Sequence, residues 1–282
     1  MTQRIVFACS GSAENCAAIP WLAATFDAEI VAMTLDVGQR RELEGVRQAA
    51  LAAGAARAHV LDVREEFARE CILGSLQGGR DQSPLGHALE RPLIARKLIE
   101  VARIEAAAAI AHGGDAADHR TIEAAARAIE PSIRVIAASG VTPAAIGYTV
   151  HATLWGRSIE GGSRHAGDGP PEAIYSLTAP STRAPDAPAH LEISFEAGLP
   201  VAVNGVPMTL TELIESVTTI AGNHGVGRVT HEASGTACEA PAAVVLHAAH
   251  AALGAGAMRA ADATVRVELF RGRHRIVSAH LS

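Results

Sequence analysis

Hydrophobic and polar positions follow two different rhythms in this 282-residue chain, and the change falls near residue 140. In the first part, short apolar runs close on glycine or polar turns, and each leads into a stretch with apolar residues at helical spacing. Ile5 to Ala8, Glu29 to Leu35, Arg57 to Val63, Ala109 to His112 and Arg134 to Ala138 read as buried strands. Helices are expected over Glu14 to Phe26, Arg41 to Ala53, Glu65 to Leu76, Arg91 to Ala109 and His119 to Ile129. Pro20 should kink or shorten the first, and Gly54 should end the second. Strands alternating with helices predict an α/β fold, a doubly wound parallel sheet with helices on both faces.

Past Gly140 the texture becomes α+β. Gly161 to Pro188 is rich in Gly, Pro, Ser and Thr and reads as loop. Leu191 to Phe195 alternates as a strand, Pro200 to Val203 is its expected partner, and Asn204-Gly205 signals a tight turn. Helices are expected over Leu210 to Ala221 and Ala240 to Leu253, and a hairpin over Val265 to Phe270 and His274 to Val277. This places a sheet domain at residues 1–145 and a second, smaller α+β domain at 146–282.

Ligands of open parallel sheets sit outside the C-terminal strand ends. Here those ends carry Ser10–Ser12, Asp36–Gln39 and Gly113–Asp118. The first is a strand feeding a small-residue turn and then a helix start, where free N–H groups and the positive dipole end favour an anion. His112 reads as a buried, hydrogen-bonded histidine, and Cys16 as a structural thiol.

Composition narrows the chemistry. Apolar residues make up 49% and aromatic residues only 3%, so the core is filled with Ala, Val, Leu and Ile. A net charge of −6 argues against a general nucleic-acid binder. The four cysteines form no CxxC pair, and His247 and His250 lie on one helix face without an HExxH pattern, so no metal site is indicated. The N-terminus lacks a signal-peptide pattern, and Ala240 to Met258 falls short of a membrane span, so a cytoplasmic protein with no membrane association is expected.

Seven motifs in order then resemble the argininosuccinate synthases. The most specific is Thr153 to Gly162, TLWGRSIEGG, with Tyr148 before it; next is Gly222 to Arg228, GNHGVGR. Ala8-Cys9-Ser10-Gly11, Asp36-Val37-Gly38-Gln39, Arg91-Pro92-Leu93-Ile94-Ala95, Ala111-His112-Gly113 and Glu239-Ala240-Pro241-Ala242 fall in the family's order. The resemblance implies an ATP-pyrophosphatase-type nucleotide-binding domain and a synthetase domain. It implies a ligase of arginine biosynthesis that joins citrulline to aspartate through a citrullyl-adenylate, with ATP and Mg2+. It assigns Ala8, Ser10, Gly11, Ser12, Asn15, Cys16, Leu35, Gln39 and Gly113 to ATP, and Ser83, His87, Asp118, Thr149 and Glu232 to the substrates. Glu123 aligns with a following family glutamate, and Trp155 and Arg157 read as scaffold residues.

The chain also departs from the family. Ser12 stands for a glycine of the Ser-Gly-Gly-Leu-Asp-Thr-Ser loop, and Asn15 and Cys16 for its hydroxyl residues. The lysine expected between Gly113 and Asp118 is gone; Ser83 replaces a tyrosine, His87-Ala88 a Thr-Ser pair, and Cys238 another tyrosine. Segments are missing before Tyr148 and between Arg228 and Glu239, and the family's C-terminal tetramer helix is absent, which leaves a homo-oligomer open. Two readings of function remain: a ligase with a degenerate site, or an inactive or reassigned paralogue that keeps the scaffold for weak nucleotide or partner binding.

Overall fold

The computed structural model describes residues 3–39, 42–78, 89–138, 147–161, 169–231, 236–254 and 262–281. By its contacts the chain forms two compact units, Met1–Val63 with Ala88–Ala145, and Arg64–His87 with Ile146–Ser282.

The first unit is built on strands β1 (Gln3–Ala8), β2 (Ala28–Asp36), β3 (Arg57–Asp62), β4 (Ala109–His112) and β5 (Arg134–Ala137). They form one sheet in the order β3-β2-β1-β4-β5, every pair parallel. Strand side chains alternate between faces, and here both sets are apolar because both faces are covered. Ile5, Phe7, Ile30 and Ala109 pack with Ile19 and Leu22 of α1 (Ala13–Phe26) and Ala50 of α2 (Leu43–Ala52). Val6, Val31, Met33 and Ile110 pack with Leu98 and Ile99 of α5 (Arg91–Ile104) and Ile122 of α6 (Ala116–Ile129).

At the N-terminal end of the sheet the carboxylate of Glu105 is buried. It is met by Arg57 Nη1 at 2.7 Å and His59 Nε2 at 2.8 Å.

Two helices differ from expectation. The first runs its full length with Pro20 inside it. Proline removes one backbone donor, and this one sits on the exposed side of a helix already capped at Ser12, so the helix is not shortened. Helix α5 stops at Ile104 rather than continuing to Ala109. Ala106 takes a left-handed φ of 50°, which turns the chain so that the following alanines enter β4.

The second unit begins with a helical segment, α3 (Arg64–Glu66), a π-helical turn over Phe67–Ile72 and α4 (Leu73–Gly78), which buries Phe67, Ala68 and Ile72. The unit has two antiparallel sheets. One has the order β10-β9-β8-β13-β14 and comprises β8 (Ala189–Glu196), β9 (Leu199–Val203), β10 (Val206–Pro207), β13 (Ala263–Phe270) and β14 (Arg273–Leu281). Asn204 and Gly205 take φ of 51° and 76° in the β9–β10 turn, which explains that turn signal.

The other sheet, β11-β12-β7-β6, comprises β6 (Tyr148–Thr153), β7 (Gly156–Gly161), β11 (Arg228–His231) and β12 (Thr236–Glu239). The hydrophobic pattern did not announce this sheet, since its strands are short and carry glycine, charge and hydroxyls in place of an apolar alternation. Helix α7 (Leu210–Asn223), started by a Thr209/Glu212 capping box, packs on α8 (Pro241–Leu253).

Glu239, at the end of β12, is fully buried. Its Oε1 accepts from the N–H of Leu177 and Thr178, each at 2.9 Å, and from Thr178 Oγ1 at 2.7 Å. Its Oε2 accepts from Ser176 N–H at 3.0 Å and from the Arg157 guanidinium. Replacing Glu239 by Ala strands these donors, so unfolding in urea should show a loss of about 3–5 kcal/mol. A loss below about 1 kcal/mol would mean the cluster is not what holds this sheet.

Candidate functional site

The chain leaves β1 to build β2 and β3 on one side and returns to build β4 and β5 on the other. Connections therefore diverge at the C-terminal ends of β1 and β4, the point where open parallel sheets bind ligands. Cys9 follows β1 and is buried, tied by its N–H to Met33 O at 2.8 Å and by its carbonyl to Thr34 Oγ1 at 2.9 Å. Ser10, Gly11 and Ser12 then turn the chain into α1.

Gly11 has a φ of 72°, and a Cβ there would lie 2.5 Å from Val46 Cγ1 of α2. Glycine is required at this position on both counts. Ser12 caps α1, its Oγ accepting the Asn15 N–H at 3.2 Å. Asn15 Oδ1 accepts the Ser10 N–H at 3.1 Å, which draws the turn over the helix start. The β4–α6 connection adjoins it: a Cβ on Gly113 would lie 2.8 Å from Asn15 Nδ2. Ser10, Gly11, Ser12, Asn15 and Gly113 are thus brought together around a 14-residue helix's N-terminus, an arrangement that favours an anion.

The other expected ATP residues take varied places. Ala8 ends β1 between its partners Met33 and His112. Cys16 and Leu35 pack against the two cores. Gln39 closes its own turn: Nε2 donates to Leu35 O and Oε1 accepts from Val37 N–H, both at 2.8 Å. Among the substrate residues, Ser83, His87 and Glu232 lie outside the described residues, and Thr149 is exposed on β6 in the second unit.

Asp118, in the first turn of α6, is gripped by Arg91 through two bonds, Nε to Oδ1 at 2.7 Å and Nη2 to Oδ2 at 3.1 Å. Arg91 also reaches Glu90 Oε1 at 3.3 Å.

Sequence reasoning passed over two groups here. Glu90 is 7% exposed, its Oε2 is buried without a partner among the described residues, and burial pushes its carboxyl up to about 7 against the pull of Arg91. Ser158, in TLWGRSIEGG, is 3% exposed with an equally unpartnered Oγ. An acidic residue directly before Arg-Pro at a helix start, and a hydroxyl inside the most specific motif, were the available signals. Glu123, named from the resemblance, pairs with Arg127 at 2.9 Å. His112 is 2% exposed and, through burial and then the neighbouring His119, its imidazole is pushed down to about 4.

The scaffold motifs of the second unit gather around Glu239. Arg157 also donates to Ile174 O at 3.0 Å. Arg228, the last residue of GNHGVGR, donates to Thr178 Oγ1 at 2.8 Å, grips Glu172 at 2.8 and 2.6 Å, and lies 4.1 Å from the Tyr175 ring centre. Gly227 has a φ of 119°, and a Cβ there would meet Pro241 N and Cα at 2.5 Å. Trp155 is buried edge-on to His247. Among the described residues no group of three or more His, Cys, Asp or Glu could hold a metal ion, and no helix is long and apolar enough to cross a membrane.

A five-stranded parallel sheet with a glycine turn at its switch point defines a nucleotide-binding α/β domain of the HUP class, and the profile of the arginosuccinate synthase N-terminal HUP domain matches residues 4–144. The arginosuccinate synthase C-terminal domain matches residues 148–266, and the chain belongs to the argininosuccinate synthase family. It is 37% identical to the argininosuccinate synthase of Streptococcus suis over 281 residues, spanning 88% of this chain and 70% of that one. The Streptococcus gordonii enzyme is 38% identical with the same coverage. The Dehalococcoides mccartyi enzyme is 37% identical over 286 residues, 90% of this chain and 70% of its own length.

Glu90 gives a pH signature for the first unit. A carboxyl whose folded-state value is raised from 4.5 to about 7 binds its proton more tightly when folded. Its stabilising contribution is full below the unfolded value and lost as pH rises through the folded one. Relative to Glu90→Gln, the natural protein should lose on the order of 1–3 kcal/mol in unfolding free energy between pH 4.5 and 7.5. A difference that does not change with pH would contradict this assignment.

Proposed function

We propose that the chain is an ATP-dependent ligase of the argininosuccinate synthase type, acting in arginine biosynthesis. The ureido oxygen of citrulline attacks the α-phosphorus of ATP, forming a citrullyl-adenylate and releasing pyrophosphate. The aspartate amine then attacks the activated carbon, and AMP leaves. The carrying observation is the meeting of the β1–α1 and β4–α6 turns at the switch point, built around Gly11 and the capped start of α1, in a chain that belongs to this family. Such ligases draw much of their rate from holding reactants in near-attack geometry.

In this reading Ser10, Gly11, Ser12, Asn15 and Gly113 cradle the phosphates by backbone and side-chain donors. Ala8, Cys16, Leu35 and Gln39 frame that cradle from the strand ends. Asp118 meets a substrate ammonium with its charge shared by Arg91, and Ser83, His87, Thr149 and Glu232 serve the two amino acids by resemblance. Mg2+ ordinarily keeps water and nucleotide phosphate oxygens as its ligands. Among the described residues no cluster of three could hold it, and the triphosphate would carry it. The scaffold-only alternative has no finding of its own in support.

Incubation with ATP, citrulline and aspartate should release pyrophosphate over repeated turnovers, and no release above the ATP-only background would overturn the reading. Ser12→Asp tests the turn itself. Aspartate caps a helix as well as serine does, so the unfolding midpoint should hold while ATP affinity falls at least about tenfold. Unchanged affinity would remove the turn from the site.

A further inference from the structure

The β4–α6 connection holds two histidine rings in line, and their protons can be placed by elimination. The Gly114 N–H can only donate, and it lies 3.1 Å from His112 Nδ1, so that nitrogen is bare and the neutral ring carries its proton on Nε2. His112 Nε2 is 3.0 Å from His119 Nδ1, which therefore accepts. His119 then carries its own proton on Nε2, turned toward Glu123 Oε2 at 3.8 Å, and Glu123 is held in turn by Arg127. The two rings stack at 5.2 Å between centres. His112 is buried, whereas the His119 side chain keeps 28% of its surface exposed.

We propose that His119 is a positioning residue for the nucleotide turn: it fixes the His112 tautomer and, through it, the backbone of Gly113 and Gly114. The proposal rests on the ATP-binding reading above. In the opposite tautomer His112 would aim an Nδ1–H at the Gly114 N–H, two donors face to face, and the turn would have to open. Little slack exists to absorb that movement. A Cβ on Gly114 would lie 2.5 Å from Asp118 Oδ2, and one on Gly113 would lie 2.8 Å from Asn15 Nδ2. A shift at Gly114 is therefore felt both by the Arg91–Asp118 pair and by the residue that folds the first turn. The acceptor comes from His119 because the His112 ring is buried, where an unmet N–H is costly.

Nitrogen-15 spectra of the histidine side chains, amide exchange at Gly114 and ATP titration test this together. The natural protein should show His112 with a bare Nδ1. In His119→Leu the His112 signal should shift toward the other tautomer, Gly114 exchange should rise about tenfold or more, and ATP affinity should fall about tenfold. His119→Asn places an amide oxygen where Nδ1 was and should bring all three back to within about twofold. An unchanged His112 signal and Gly114 exchange in His119→Leu would overturn the proposal, as would a tautomer change that leaves ATP affinity intact. Absence of ATP binding by the natural protein would fail the ligase reading instead, while the spectra and exchange still decide whether His119 sets the turn.

Discussion

A carboxylate that has left water must be met on both oxygens, and Glu239 meets that requirement completely. Three backbone N–H groups, one hydroxyl and one guanidinium converge on it. The donors come from separate stretches of sequence: Arg157 on β7, the Ser176–Thr178 turn, and Arg228 one step removed through Thr178. Arg157, Arg228 and Glu239 itself lie in stretches that stood out as motifs, whereas Ser176–Thr178 lies in a segment that read as loop. Their residue types follow from the cluster, since only arginine can bridge a buried carboxylate and nearby carbonyls with a planar fork. The close approach of Gly227 to Pro241 follows from the same packing.

The first unit obeys the same rule and shows where it is relaxed. Glu105 and His112 are buried and partnered, and they lock the two ends of the parallel sheet. Glu90 is buried and only half met, and in the second unit Ser158 is not met at all among the described residues. Polar groups left unpaired inside a protein are uncommon, and each calls for a cause such as strain, a catalytic role, or a water or ion that completes the site. The start of α1 belongs to the same class, because a helix always leaves N–H groups over at its first turn. Replacing a glycine by Ser12 does not abolish this feature: the serine hydroxyl caps the helix and becomes part of the turn.

Much of this was legible in the residues. The parallel sheet followed from apolar runs ending in turns, and its helices from their spacing. The turn at Ser10–Ser12 followed from a strand that ends just before a helix start. Gly11 was recognisable as a turn residue, but its need for a positive φ became clear only with Val46 packed against it. The β6-β7-β12-β11 sheet was not legible, because its strands are short and their pairing is long-range. Gln39 illustrates another limit. Its position at a strand end was legible, but its amide also spans its own turn, a local bond that no periodicity reveals. Glu90 and His119 were passed over because their meaning lies in burial and in partners distant in sequence.

In the proposed reaction the switch-point turn holds ATP while a ureido oxygen is activated by adenylation. Following that oxygen tests it most directly. With citrulline labelled by oxygen-18 at the ureido position, and ATP and aspartate present, the label should appear in the phosphate of AMP. Label retained in citrulline, or AMP formed with only solvent oxygen, would contradict the account.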